Sequence, residues 1–85
     1  MIKRIFTLDD ATRIGAALGI DFEQIRIDEF RRGLSVELEH GAADTDTNVS
    51  NDSELVTGKI AWAHLKEIPD YYTRLAKMEA EAETA

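Results

Sequence analysis

The chain contains no cysteine and no long apolar run. Without cysteine it has neither a disulfide framework nor thiolate ligands, which excludes zinc-finger chemistry and leaves only histidine and carboxylate as metal ligands. No stretch approaches the roughly 20 apolar residues of a membrane-spanning helix. Lys3 and Arg4 are followed at once by the polar segment 7–10 rather than by the apolar core of a signal peptide. We therefore expect an intracellular protein without contact to a membrane.

Basic residues are missing from the middle of the chain. None occurs between Arg32 and Lys59, and the formal net charge of the whole chain is −7. The acidic residues of this interval are Glu37, Glu39, Asp44, Asp46, Asp52 and Glu54. Because such a field repels phosphate, we expect no direct binding of nucleic acid. A cation or a basic partner remains compatible with it, and so does a protein that imitates nucleic acid to block a basic target.

Sequence signatures of catalysis are missing as well. The chain has no nucleophile placed near a base, no glycine-rich phosphate loop after a strand and no cofactor fingerprint. Glu37 and His64 could act as an acid/base pair, but a domain this small offers little room for a cleft. The sequence therefore predicts a protein that is not an enzyme and has no catalytic residues.

The spacing of apolar residues predicts an all-α fold. Thr7 and Asp10 have the spacing of an N-terminal cap, and Gly19 ends the helix that they begin. Further helices are predicted over 28–40, over 53–68 and from Pro69 onward. We expect one compact domain over residues 1–85, with three to four helices packed orthogonally or as a bundle, an N-terminal lead-in at 1–6 and a frayed tail at 79–85.

The stretch from Gly33 to Gly41 sets a carboxylate in the middle of an apolar helix face. At about 100° per residue, Glu37 lies among apolar residues while His40 stands one turn further along. The surrounding residues are Phe30, Gly33, Leu34, Leu38 and Gly41. An ionised carboxylate that faces a core must be paired, hydrogen-bonded or bound to a metal, because its desolvation is costly.

The following predicted helix offers partners for Glu37. His64 lies near the centre of its apolar sector, which is formed by Val56, Ile60, Ala61, Ala63, Leu65 and Ile68 and also includes Glu67. If the two helices run antiparallel, Glu37 and His40 face His64 and Glu67 across one interface.

Two explanations of this cluster are open. Glu37, His40, His64 and Glu67 are suitable ligands for a divalent metal such as zinc, iron or manganese. They resemble half of the ligand set of ferritin-like di-metal bundles, which consists of two Glu-x-x-His motifs and two further glutamates. In this chain one motif is reversed, as His64-x-x-Glu67, and the further glutamates are not evident. A homodimer could supply more ligands. Alternatively the cluster is structural, with Glu37 held by His64, a tyrosine hydroxyl or Arg74.

The polar segment 42–53 and a nearby tryptophan form the second candidate site. The segment consists of turn-forming residues and is long for so short a chain, which is typical of a functional loop. Trp62 projects away from the main apolar sector, either as a cap over this loop or as an exposed anchor for a partner. We assign partner binding to Trp62, Asp44, Asp46 and Asp52.

Several segments resemble a small protein family of unknown function that occurs in tailed phages and bacteria. They are FTLDDATRIG at 6–15, ELEHG at 37–41, TNVSND at 47–52 and GKIAWAHLKEIPDYYTRL at 58–75. The resemblance implies a phage or prophage-like gene product, located in the cytoplasm of a bacterial host cell or in the virion. We therefore expect a non-enzymatic accessory or assembly module that binds another protein or itself. A metal-binding protein and an acidic nucleic-acid mimic are the alternatives.

Overall fold

The computed structural model of the chain describes residues 5–43 and 54–84, with the side chains of 5–39 and 54–83. These residues form four helices and no strand, which confirms the all-α prediction. The helices are α1 (Leu8–Leu18), α2 (Ile27–Ala43), α3 (Glu54–Glu67) and α4 (Tyr71–Thr84). No described helix combines the length and the hydrophobicity that a membrane span requires.

The ends of α1 are determined by local sequence. The Thr7 hydroxyl accepts the Asp10 backbone N–H at 3.1 Å, and the Asp10 carboxylate accepts the Thr7 backbone N–H at 3.0 Å. This backbone hydrogen bond from Thr7 lowers the pKa of the Asp10 carboxyl. At the other end Gly19 adopts the left-handed conformation with φ of 78°, which costs a glycine little. Both ends agree with the sequence prediction.

The core lies where α1, α2 and α3 meet, and α2 and α3 run parallel through it. A Cβ atom added to Gly33 would lie 3.0 Å from the Cβ of Ala61. One turn further along α2, the Glu37 carboxylate lies 3.4 Å from the His64 imidazole. The contacts advance in the same order along both helices, so the antiparallel arrangement that we considered is wrong. Ten residues separate α2 from α3 in the sequence.

The buried face of α3 is displaced from the predicted apolar sector. Ala61 and Leu65 are buried as predicted, together with Thr57 and Gly58. Ile60 is half-buried, whereas Val56, Ala63 and Ile68 are exposed. The small residues of α3 allow its close approach to α1 and α2, since Cβ atoms on Gly58 would meet side chains within 3 Å. Close packing of small residues therefore decides which side of α3 faces inward.

The last helix leaves the body of the molecule after its first turns. It begins at Tyr71, two residues after the predicted start at Pro69, and continues to Thr84. All its described side chains from residue 76 to residue 83 are exposed. The described part of the predicted frayed tail, up to Thr84, is helical. Fraying of residues 79–85 is a motion of this helix end and stays a prediction.

Candidate functional site

The predicted meeting of Glu37 and His64 is present at the junction of α2, α3 and α4. The side chain of Glu37 is only 11% exposed, and its Oε2 atom lies 3.4 Å from His64 Nε2. The same oxygen accepts a hydrogen bond of 2.8 Å from the Tyr72 hydroxyl. Two of the three structural partners proposed from the sequence, the imidazole and a tyrosine hydroxyl, therefore converge on one carboxylate oxygen.

The imidazole lies among aromatic rings. The His64 ring stacks on Tyr71 with ring centroids 4.4 Å apart and planes 6° from parallel. Tyr72 presents its edge to His64 at 6.2 Å and to Tyr71 at 5.0 Å. Tyr72 belongs to the core, and Tyr71 is half-buried at its rim. The two tyrosine rings therefore pack against His64 where it lies beside Glu37.

The Tyr72 hydroxyl keeps its proton in this environment. Burial raises the pKa of Tyr72 far above that of a free tyrosine, and the hydrogen bond to Glu37 and the negative charge of that carboxylate raise it further. A protonated phenol can only donate to the carboxylate, which remains the acceptor. The pair therefore works as a fixed donor and acceptor that joins α4 to α2.

Gly33 provides the space that Tyr72 occupies. An added Cβ would lie 2.4 Å from Tyr72 Cε2 and 2.8 Å from Tyr72 Cζ, which is closer than non-bonded atoms approach. The tyrosine ring thus lies directly on the backbone of α2. Any larger residue at position 33 would push the ring and its hydroxyl away from Glu37.

Glu29, a buried carboxylate of α2, was not predicted from the sequence to be a site residue. Its side chain is 1% exposed, and its two oxygens accept the Thr73 backbone N–H at 3.1 Å and the Thr73 hydroxyl at 2.8 Å. This N–H is one of the first in α4 and lacks a partner within its own helix. Glu29 therefore caps α4 from another helix, and its negative charge complements the helix N-terminus.

Glu29, Gly33 and Glu37 form one row along α2, at intervals of four positions. We call this row the α2 stripe. Its two carboxylates bind the first turn of α4 on either side of the glycine, which receives Tyr72. The signal that could have found Glu29 was its position one turn before Gly33, on the side of α2 that also carries Glu37.

Glu67, another predicted metal ligand, is not brought into this junction. Glu67 is exposed, so its predicted position inside the apolar sector is wrong. The side chain of His40 lies outside the described residues, and so do the predicted partner-binding residues Asp44, Asp46 and Asp52. Among the described residues, no three histidine, aspartate or glutamate side chains are grouped so that they could hold a metal ion.

Trp62 is half-buried beside the core rather than fully exposed. The Lys66 ammonium lies 4.2 Å from the centroid of its ring. Such a contact is a cation–π interaction within one helix turn and stabilises the side chains modestly. The role of Trp62 as a cap over the polar segment or as a partner anchor stays a prediction.

Comparison with known proteins identifies the family of the chain. Neither the curated proteins nor the solved structures contain a match. A family of proteins of unknown function, DUF5661, matches residues 11–81. This range includes the α2 stripe and most of α4. The predicted resemblance to a family of unknown function is thereby confirmed, and the chain belongs to the DUF5661 family.

Proposed function

We propose that this chain is a non-enzymatic protein-interaction module that presents α4 to a partner. The observation that carries the proposal is the division of α4 into two parts. Its first turn is held by buried groups of α2, while its described side chains from residue 76 to residue 83 are all exposed. A helix fixed at one end and accessible along the other is suited to bind in a groove or beside another helix.

The α2 stripe contributes to such binding by orienting α4 before a partner arrives. Glu29 and Glu37 hold Thr73 and Tyr72 through hydrogen bonds of 2.8 to 3.1 Å, and these bonds fix the direction in which α4 leaves the body. A binding element that is already ordered loses less conformational entropy on association. The buried carboxylates therefore have a function in this proposal without contacting the partner.

The exposed part of α4 continues an apolar face. Leu75 is half-buried against the core, whereas Met78 on the same side of the helix is 59% exposed. Ala82 follows one turn later and is also exposed. An amphipathic helix of this kind offers a short apolar stripe between charged residues. The phage-type accessory or assembly role that the sequence resemblance implies is a finer form of the same proposal.

A site-specific photocrosslinker tests this function. A benzophenone amino acid placed at Ala82 in the full chain should form a discrete adduct in cells that express the protein naturally. The same group placed at Ala16, an exposed residue of α1, serves as the matched control and should not form that adduct. Met78→Asp should abolish the Ala82 adduct without changing the helix content. Equal adducts at both positions, or none at Ala82, would reject the proposal.

Metal binding is the second candidate, favoured by the distance of 3.4 Å between Glu37 and His64. These two residues provide one carboxylate and one imidazole, so that His40 would have to supply a third ligand. Under this proposal a chelator lowers the melting temperature and added zinc or manganese restores it. Glu37→Gln should abolish the effect of the metal while the protein remains folded. A melting temperature that responds to neither treatment excludes this candidate.

A further inference from the structure

We infer that the free end of α4 binds to α3 of a second copy of the chain, with its acidic side against two lysines beside Trp62. This inference rests on the proposed function, because it names the partner that the exposed part of α4 binds. The two surfaces belong to different helices, so every copy has both an α4 end and an α3 surface. Opposite charges and exposed apolar residues on the two surfaces carry the inference.

The surface on α3 is a stripe of exposed and half-buried residues. Leu55, Lys59, Trp62 and Lys66 follow one another at intervals of four, three and four positions, which places them within one narrow sector of the helix. Leu55 is 47% exposed and Trp62 is half-buried, so part of the indole is accessible. Both lysines are exposed, and the Lys66 ammonium lies 4.2 Å from the centroid of the indole. Tryptophan is enriched among the residues that dominate binding energy.

The free end of α4 has the complementary pattern. Met78 is 59% exposed, and Ala82 follows it on the same side of the helix. Glu79 and Glu83 are exposed and lie along one flank of these two residues. All described side chains from residue 76 to residue 83 are exposed, so this end of α4 does not pack on α3 of its own chain.

The positions of the charges favour an antiparallel contact. At about 100° per residue, the two lysines lie on the same side of Trp62 as the two glutamates lie of Met78, when each helix is viewed from its N-terminus. Facing helices bring such flanks together when they run antiparallel. The lysines are seven positions apart, which is about 10 Å along the axis, and residues 76–84 of α4 extend about 13 Å. The two surfaces therefore match in charge and in length.

The strength of this contact is limited by its size and by the charge of the chain. It is smaller than the interfaces of stable dimers, and each copy carries a formal net charge of −7, which opposes association at long range. We therefore expect reversible association that requires high protein concentration. Because the α4 end and the α3 stripe are different surfaces, the contact is heterologous and leads to open chains or closed rings.

Exchange of the charges tests the inference by sedimentation equilibrium of the purified full chain. Lys59→Glu combined with Lys66→Glu should weaken self-association about tenfold or more, because like charges then meet, and so should Glu79→Lys combined with Glu83→Lys. An equimolar mixture of these two variants should associate about as strongly as the wild type. In the mixture, every contact between unlike copies again joins opposite charges.

Asp9→Lys combined with Glu23→Lys is the matched control. It changes the net charge by the same amount as the α4 variant, and both residues are exposed and belong to neither surface. This control should not weaken self-association, since only the long-range repulsion between copies changes. Circular dichroism of each variant shows whether the helices are retained.

Two results of the sedimentation experiment would overturn the inference. One is a wild-type chain that is folded and monomeric at every concentration, and the other is a mixture that associates no more strongly than either variant alone.

The benzophenone at Ala82 separates the inference from the proposed function. An adduct of twice the chain mass that is linked within residues 54–67 supports the inference, whereas one linked elsewhere overturns it. An adduct in cells with another protein alone overturns the inference and leaves the proposed function. Absence of any adduct removes both.

Discussion

Two carboxylates that face the protein interior, Glu29 and Glu37, have partners for their charge in the first turn of α4. Thr73 donates its backbone N–H and its hydroxyl to Glu29, and Tyr72 donates its hydroxyl to Glu37. Hydrogen bonds to a charged acceptor are among the stronger ones, with about 1.5 to 3 kcal/mol of net stabilisation each. Loss of a donor is costly because the carboxylate then remains buried without it.

The ionisation of Tyr72 makes the stability of the fold depend on alkaline pH. The ordinary pKa of tyrosine is 10.0, and it is raised in the folded chain. The stabilisation linked to this group is therefore complete below pH 10 and is lost as the pH rises above it, because the unfolded chain then releases a proton that the folded chain retains. We expect the free energy of unfolding to decrease above this pH, with a contribution from Tyr72 of up to about 1.4 kcal/mol per pH unit.

Denaturant unfolding of the wild type and of Tyr72→Phe between about pH 9 and 11 measures this contribution. Tyr72→Phe should be less stable at neutral pH and should show a shallower alkaline decrease than the wild type. Other titrating groups occur in both proteins and cancel in the difference between the two slopes. Identical slopes would show that Tyr72 ionises equally in the folded and unfolded chains.

Thr57 is a buried residue whose hydroxyl finds no hydrogen-bond partner within the described part of the chain. A buried hydroxyl without a partner costs about 1 to 3 kcal/mol. Thr57→Val keeps the shape of the side chain and removes the hydroxyl, so we expect the free energy of unfolding to increase by about 1 kcal/mol. Thr57→Ser is the comparison, because it keeps the hydroxyl and loses a buried methyl group. Thermal and denaturant unfolding should rank valine above threonine and threonine above serine. A destabilised valine variant would mean that the hydroxyl is bonded.

At the scale of the elements, the close contact between α2 and α4 depends on Gly33. A glycine within a helix is about 1 kcal/mol less favourable than alanine. Position 33 nevertheless requires glycine, because the Tyr72 ring lies where a Cβ would be. The same close packing is found on α3, where the small residues Gly58 and Ala61 face the core. Small residues thus determine which sides of the helices meet.

Gly33→Ala tests this packing. The added methyl group would overlap the Tyr72 ring, so the substitution should destabilise the fold by about 1 to 3 kcal/mol in spite of the better helix propensity of alanine. In a Tyr72→Ala background the overlap with the ring disappears and the contact of 3.0 Å with the Ala61 Cβ remains, so the same substitution should then be clearly less destabilising. Unfolding free energies of the four proteins give the coupling between the two positions. A coupling near zero would mean that Tyr72 does not lie on Gly33.

Local features of the elements were predictable from the sequence, whereas their assembly was not. The Thr7 and Asp10 cap and the end of α1 at Gly19 involve residues that are near neighbours in the chain. The burial of Glu37 followed from helical periodicity. Glu29 was missed because its partner Thr73 is 44 residues away, and periodicity alone placed Glu67 inside although it is exposed. Which face of α3 turns inward depends on contacts that no single helix encodes.

At the scale of the whole molecule, α1, α2 and α3 form the core, and α4 is attached to it mainly through α2. The parallel course of α2 and α3 brings His64 to the level of Glu37, and the turn after α3 then delivers Tyr72 to the same place. The α2 stripe is therefore the part of the core to which the first turn of α4 is attached. In the proposed function, binding of a partner through α4 requires the α2 stripe to be intact.

The exchange rate of the Thr73 amide proton measures the attachment of α4 most directly. This N–H lies in the first turn of the helix and has no intrahelical acceptor, so its protection from solvent exchange reports the bond to Glu29. We expect slow exchange in the wild type and in Glu67→Ala, which alters an exposed residue, and fast exchange in Glu29→Ala. A Thr73 amide that exchanges in the wild type as rapidly as an unstructured peptide would contradict the anchoring of α4 by α2.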